Sequence, residues 1–236
     1  MIRRELEELV GRLQKAHSGR LISVILYGSA AAGDHHEKFS DLNVLCVLND
    51  VTPEALDDSE PIFTWWRGLG NPSPLLMSEE EVRTSTDCFP IEFHDMAERR
   101  RVLFGKDVIE GLVIDNVFYR AQIEQELRAK LLRLRQKAAG VLSDKQALLR
   151  LMIDSVSNFL VLARHALLVS GLEAGLQKRD VSQKLASIGV DPGPFDILLD
   201  LREQKRKAGE VEPTELFARY LKQIEALVAH VDRLEK

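Results

Sequence analysis

The chain has 236 residues, 45% of them hydrophobic, enough to build the core of one large or two small domains. A formal net charge of −5 argues against a polynucleotide partner, because that binding needs a basic surface to neutralise many phosphates. No apolar stretch reads as long and charge-free enough to span a bilayer, and the start Arg3-Arg4-Glu5-Leu6-Glu7-Glu8 is too charged for a signal peptide, so a cytoplasmic protein is expected.

Leu6, Leu9, Val10 and Leu13 recur at helical spacing and predict an amphipathic first helix. Leu21-Ile22-Ser23-Val24-Ile25-Leu26-Tyr27 is an apolar, β-branched run ended by Gly28, which predicts a buried strand entering a turn. Ser29-Ala30-Ala31-Ala32 then makes a fair helix start, so Gly28 and Ser29 are expected to turn free backbone N–H groups outward. Such a turn can hold a phosphate through its donors, its positive dipole end and the Ser29 hydroxyl. Gly28 has no side chain to keep the phosphate away. The same pattern also describes an ordinary strand-to-helix turn.

After a polar loop over 33–40, Val44-Leu45-Cys46-Val47-Leu48 predicts a second strand. Side chains alternate along a strand, so Asp41 and Asn43 share one face while Leu42 and Val44 enter the core. Two oxygen ligands at that spacing suit a hard cation such as magnesium, which takes carboxylate and phosphate oxygens and keeps several waters. The competing reading is that both residues only cap the strand entry. His35-His36 have no further Cys or His at ligand spacing and are expected to be solvated.

Thr52-Pro53-Glu54 is a cap followed by proline at the first helical position. Residues 61–72 read as irregular or briefly helical, with Trp65-Trp66 given to packing. Pro74-Leu75-Leu76-Met77 predicts a short strand, and Ser78-Glu79-Glu80-Glu81 a capping box that opens a helix. Residues 87–95 alternate as a strand, with Phe89, Ile91 and Phe93 on the core side and Glu92 on the opposite face with His94. A last strand is expected over 101–105, which closes an α/β unit near Ile114. Cys46 and Cys88 both fall in predicted strands as small buried apolar groups. Arg99-Arg100-Arg101 and Gln204-Lys205-Arg206-Lys207 read as solvated faces.

From Asp115 onward nearly every window is helical. Residues 116–139 carry Ile123, Leu127, Leu131 and Leu134 at near-heptad spacing and stop at Gly140. Ser143-Asp144-Lys145-Gln146 reads as another capping box, opening a helix to Ser170 that is apolar on more than one face. Shorter helices are expected over 181–188 and 195–207, and a last one from Pro213. The layout is an α/β domain over 1–114 and an all-α up-and-down bundle over 115–236.

Gly28-Ser29, a gap, and then Ser40-Asp41-Leu42-Asn43 opening an apolar strand resembles the signature of the nucleotidyltransferase superfamily that includes DNA polymerase beta. The resemblance implies a mixed sheet flanked by helices. It also implies transfer of a nucleoside monophosphate from a triphosphate, such as ATP, to a hydroxyl with Mg2+. Gly28 and Ser29 would hold the phosphates and Asp41 the metal, with Glu92 as third carboxylate, metal ligand and base, and Asp95 as its runner-up. Asn43 departs from the pattern, since the superfamily has a second carboxylate there that bridges two metal ions. An α/β domain followed by a helical bundle is also similar to the antibiotic-modifying nucleotidyltransferases of the kanamycin and streptomycin types. In those a lysine reaches the nucleotide phosphate, a role that falls here to Lys178, or else Lys184. The expected acceptor is a small molecule or a protein. The alternative is a catalytically impaired nucleotide-binding or scaffolding protein. A ribonuclease-type helical toxin is discounted, because Arg164-His165 lacks the spacing of that motif.

Overall fold

Leu21–Tyr27 forms the inner strand β1 of a four-stranded sheet. Its neighbours are β2 (Asn43–Leu48) and β4 (Arg100–Gly105), both antiparallel to it, and β3 (Leu75–Ser78) pairs parallel to β2. The order across the sheet is therefore β3-β2-β1-β4. The computed structural model describes residues 2–28, 30–31 and 42–234, so Ser29, His35, His36 and Asp41 lie outside the described residues. The chain divides into two units, Met1–Asn116 and Val117–Lys236.

In the first unit helices cover both faces of the sheet, which is why β1 and β2 are apolar at nearly every position rather than at alternate ones. Helices α1 (Ile2–Ala16) and α2 (Pro53–Gly68) pack Leu6, Leu9, Leu13, Ile62 and Trp66 against Val24, Leu26, Leu42, Val44 and Cys46. On the other face α3 (Glu79–Thr84) and α4 (Pro90–Glu98) bring Val82, Phe93 and Met96 onto Ile25, Leu45 and Val47. Ser78 and Glu81 make the expected capping box. The Ser78 hydroxyl accepts from Glu81 N–H at 3.1 Å, and the Glu81 carboxylate accepts from Ser78 N–H at 2.7 Å.

Three local expectations are corrected. Residues 90–98 are the helix α4, not part of a strand: Pro90 sits at the first helical turn, and Phe93 and Met96 are buried three residues apart while Phe89 is exposed. Helix α2 runs unbroken through Pro61 to Gly68, because Pro61 is exposed while Ile62 and Trp66 bury at i and i+4. Cys88 lies exposed on a turn, whereas Cys46 is buried in β2.

At the far end of the sheet Gly105 has φ +75°, and a Cβ there would lie 1.9 Å from the Ile22 carbonyl oxygen. Only glycine lets β4 close on β1 at that point.

His17 ends the first helical stretch fully buried, with Nε2 3.0 Å from Ser59 Oγ. The Ser59 hydroxyl donates to the Ala55 carbonyl at 2.7 Å, so it accepts from His17 Nε2–H and fixes that tautomer. Burial, and then the Arg20 charge, lower the His17 pKa below its usual 6.5, with Asp58 opposing. A base whose pKa is depressed by folding stabilises the fold above its unfolded pKa, and loses that stabilisation as pH falls through the folded value. The first unit is thus expected to weaken progressively below neutral pH. The check is urea unfolding followed by tryptophan fluorescence, since both tryptophans are in α2. A His17→Gln variant should flatten the acid limb.

The second unit is all helical. Helices α5 (Tyr119–Ala139), α6 (Lys145–Val169), α7 (Lys178–Lys184), α8 (Gly193–Arg202) and α9 (Pro213–Arg233) are joined by short turns and two 3-10 segments. Ile123, Leu127, Leu131 and Leu134 form the buried seam of α5. The cap of α6 is Asp144 rather than Ser143, its carboxylate accepting from Gln146 and Ala147 N–H at 3.0 and 2.9 Å. Helix α8 ends at Arg202, short of the expected 207, where Gln204 takes a positive φ of 59°. By length and composition α6 is apolar enough to cross a membrane, contrary to the sequence reading. Leu148, Met152, Phe159, Leu160 and Leu167 are buried on it, as in the core helix of a bundle.

Candidate functional site

The end of β1 organises the candidate site. Tyr27 stands opposite Asn43 of β2 on one side and Arg100 of β4 on the other. Gly28 follows with φ +78°, a left-handed conformation that a side chain would strain. A Cβ on it would come 3.3 Å from Asn43 Nδ2, so Gly28 and the Asn43 carboxamide are in close approach.

The backbone of this turn is already engaged in part. Gly28 N–H donates to the Arg99 carbonyl at 3.0 Å, and the Gly28 carbonyl accepts from Ala31 N–H at 3.1 Å. The expectation that Gly28 offers a free N–H is therefore corrected, because continuation of the β1–β4 ladder uses that donor. What Gly28 leaves open is its bare Cα. Ser29, expected to serve the phosphates beside it, and Asp41, expected to hold the metal, lie outside the described residues.

Strand parity distributes the rest. Leu42 and Val44 enter the core beneath α1 and α2, while Leu45 and Val47 face α4. Asn43 has the parity of Leu45 and Val47, as Tyr27 has that of Ile25, so both lie on the α4 side. Glu92 is in the first turn of that helix, half-buried, and Asp95 follows one turn later. Burial, and then the negative charges of Glu92 and Asp95, push the Tyr27 hydroxyl up to about 12. The two carboxylates thus bear on the ring that faces Asn43. Glu92, Asp95, Tyr27, Gly28 and Asn43 are gathered at one end of the sheet, although Glu92 arrives there on a helix rather than a strand.

Of the arginine run beside this end, Arg101 is exposed as expected, whereas Arg99 and Arg100 depart from a solvated face. Arg99 is buried, and Arg100 is half-buried with its Nε on the Asp107 carboxylate at 2.8 Å and its Nη1 on the Ala97 carbonyl at 2.7 Å. The sequence reading missed Tyr27 and the arginines as neighbours of the site. The signal available was the antiparallel register, which a single strand prediction does not carry.

Lys178 belongs to the second unit as the first residue of α7. Lys184 is held by its own unit, with Nζ donating to the Glu173 carbonyl at 2.5 Å. Nearby, Arg179 pairs with Asp200 at 2.8 Å and Glu203 at 2.7 Å, and Lys205 joins Glu203 at 2.7 Å. Among the described residues no three His, Cys, Asp or Glu side chains come together as a metal site.

Residues 4–137 match the family described as nucleotidyltransferase domain, a span that includes the Gly28 turn, Asn43 and Glu92. No curated protein matches the sequence. Among solved structures, spectinomycin adenyltransferase AAD(9) from Enterococcus faecialis, crystallised with ATP and spectinomycin, aligns over 98% of this chain and 99% of its own. The TM-score is 0.62 at 12% identity, a likeness of fold. A toxin-antitoxin structure with AMP-PNP aligns over 52% of this chain and 93% of its own, with a TM-score of 0.32 at 16% identity.

Proposed function

Because this chain belongs to the nucleotidyltransferase domain family, we propose that it transfers a nucleoside monophosphate from a triphosphate to a hydroxyl of a small molecule or protein. The observation that carries the reading is the meeting of Gly28, Asn43 and the Glu92 carboxylate at one end of the sheet, within the span of the family match. ATP is the first triphosphate to test, given the ATP-bound spectinomycin enzyme of like fold.

Each residue has an assigned task. The Gly28 Cα and the Ser29 hydroxyl bound the phosphates. Glu92 takes the proton from the acceptor hydroxyl as its oxygen attacks the α-phosphorus, and the bond to pyrophosphate breaks.

Asp41, the Asn43 oxygen, Glu92 and the phosphates would hold a magnesium ion, which would supply offset of the phosphate charge. The donor set suits one ion, because Asn43 is neutral and cannot balance a second divalent charge.

That same neutrality favours a second reading, a nucleotide-binding or scaffolding protein of impaired catalysis. Pyrophosphate release with magnesium, each triphosphate and a panel of hydroxyl acceptors separates the two. Absence of release alongside metal-dependent triphosphate binding in calorimetry would leave only the second. An Asn43→Asp variant should tighten magnesium-dependent triphosphate binding by about tenfold, or ~1.4 kcal/mol. Unchanged affinity would mean that position 43 does not meet the metal.

A further inference from the structure

We propose that Arg100 and Asp107 form the clamp that positions α4, and with it the Glu92 carboxylate, against the Gly28 turn. Its importance for catalysis rests on the proposed function of this site. Helix α4 is only nine residues long, and its N-cap residue Phe89 supplies no side-chain hydrogen bond. A helix of that length is marginal by itself, and its last carbonyls need donors from elsewhere. No basic residue of α4 lies in its last turn. Arg100, at the start of β4, supplies the cation instead, with Nη1 donating to the Ala97 carbonyl at 2.7 Å.

The same guanidinium is held on a second side. Its Nε donates to the two Asp107 oxygens at 3.0 and 2.8 Å, and Asp107 Oδ1 in turn accepts from the Ile109 and Glu110 N–H groups at 3.1 and 3.2 Å. Ile109 belongs to the buried cluster that holds Phe93 and Met96, so the turn carrying Asp107 is anchored in the core beneath α4. The Arg100 and Asp107 side chains are 21% and 24% exposed, sheltered enough for a charge-assisted contact to fix geometry where a solvated pair would not. Apolar packing holds α4 onto the sheet but has no direction, so it does not by itself fix the rotation or slide of the helix. The planar fork of Arg100 does, because both of its contacts must be made at once. The backbone adds the glycine side. Arg100 lies opposite Tyr27, and the preceding Arg99 carbonyl accepts from Gly28 N–H at 3.0 Å. Residues 99 and 100 thus meet the turn through the main chain and α4 through a side chain.

The test is Arg100→Lys and Asp107→Asn in the full chain, with urea unfolding to verify that each folds. Lysine keeps the charge but not the fork, and asparagine keeps the volume but not the ion pair. In both variants amide hydrogen exchange should quicken by about tenfold or more over residues 93–99 and stay as in wild type over α2. Pyrophosphate release should slow by roughly 10- to 100-fold with triphosphate affinity unchanged. With Glu92→Gln already in place, Arg100→Lys should slow release no further, since a residue that acts through Glu92 has nothing left to position. Unchanged exchange over residues 93–99 overturns the proposal. So does exchange that quickens equally over α2, which marks a general loss of stability, or a rate loss that persists in full on the Glu92→Gln background. A wild-type chain that releases no pyrophosphate with any acceptor rejects the proposed function instead. The clamp is then decided by exchange alone, and quickening confined to residues 93–99 upholds it.

Discussion

Glu92→Gln is expected to lower the rate of pyrophosphate release by about 10²–10⁴-fold, the usual contribution of a positioned general base. Magnesium-dependent triphosphate affinity should fall by only about tenfold, because glutamine keeps the volume and one ligating oxygen of the side chain and removes a single charge from the metal donors, while losing the ability to accept a proton. The expectation rests on where α4 lies. Phe93 and Met96 anchor the helix to Ile25, Leu45 and Val47, so the backbone carrying Glu92 is fixed by packing rather than by a loop. Asp95→Asn is the control. It removes a charge that also bears on Tyr27, but if Glu92 is the base its effect on rate should be much smaller. Steady-state release measured for both variants decides the matter, and equal losses would shift the assignment to the pair rather than to Glu92.

Gly105→Ala is expected to destabilise the first unit by about 2–5 kcal/mol. Roughly 1–2 kcal/mol comes from placing a side chain in the left-handed region, and about 1–3 kcal/mol from crowding in a packed interior. The added carbon has nowhere to go, since its ideal position falls 1.9 Å from the Ile22 oxygen and 3.2 Å from the Ser23 Cα. Relief would require opening the β1–β4 ladder at Ser23↔Gly105, where the Ser23 hydroxyl also donates to the Lys106 carbonyl at 2.7 Å. Urea unfolding followed by tryptophan fluorescence reads this unit separately, because Trp65 and Trp66 lie in α2. A midpoint unchanged from wild type would mean that the strand end repacks freely.

What the sequence disclosed, and what it withheld, follows from how each element is specified. Strand β1 was legible because its residues are apolar on both faces and Gly28 ends it. The helical unit was legible because Ile123, Leu127, Leu131 and Leu134 repeat along one face of α5. Residues 89–93 were not, because a five-residue window fits a period of two as well as the first turn of a helix. Met96 and the proline at the helix start decided it through packing that lies outside the window. Helix α2 outlasted Pro61 for a similar reason, as burial of Ile62 and Trp66 outweighed a local breaker. Within the site, Gly28 and Asn43 were readable as a motif, whereas the burial of Arg99 and the approach of Glu92 and Asp95 to Tyr27 depend on strand order. A one-dimensional pattern does not state which strands become neighbours.

The hydrogen bond from Gly28 to the Arg99 carbonyl carries a consequence for the order of assembly. The turn appears early in the chain, but the acceptor that closes it arrives with β4, the last strand of the sheet to be synthesised. A nascent chain that has released only β1 and β2 from the ribosome holds the motif residues without the clamp that shapes their turn. Competence at this end of the sheet therefore waits on the latest long-range pairing in the first unit, a contact whose loop closure is slow relative to the local β1–β2 hairpin.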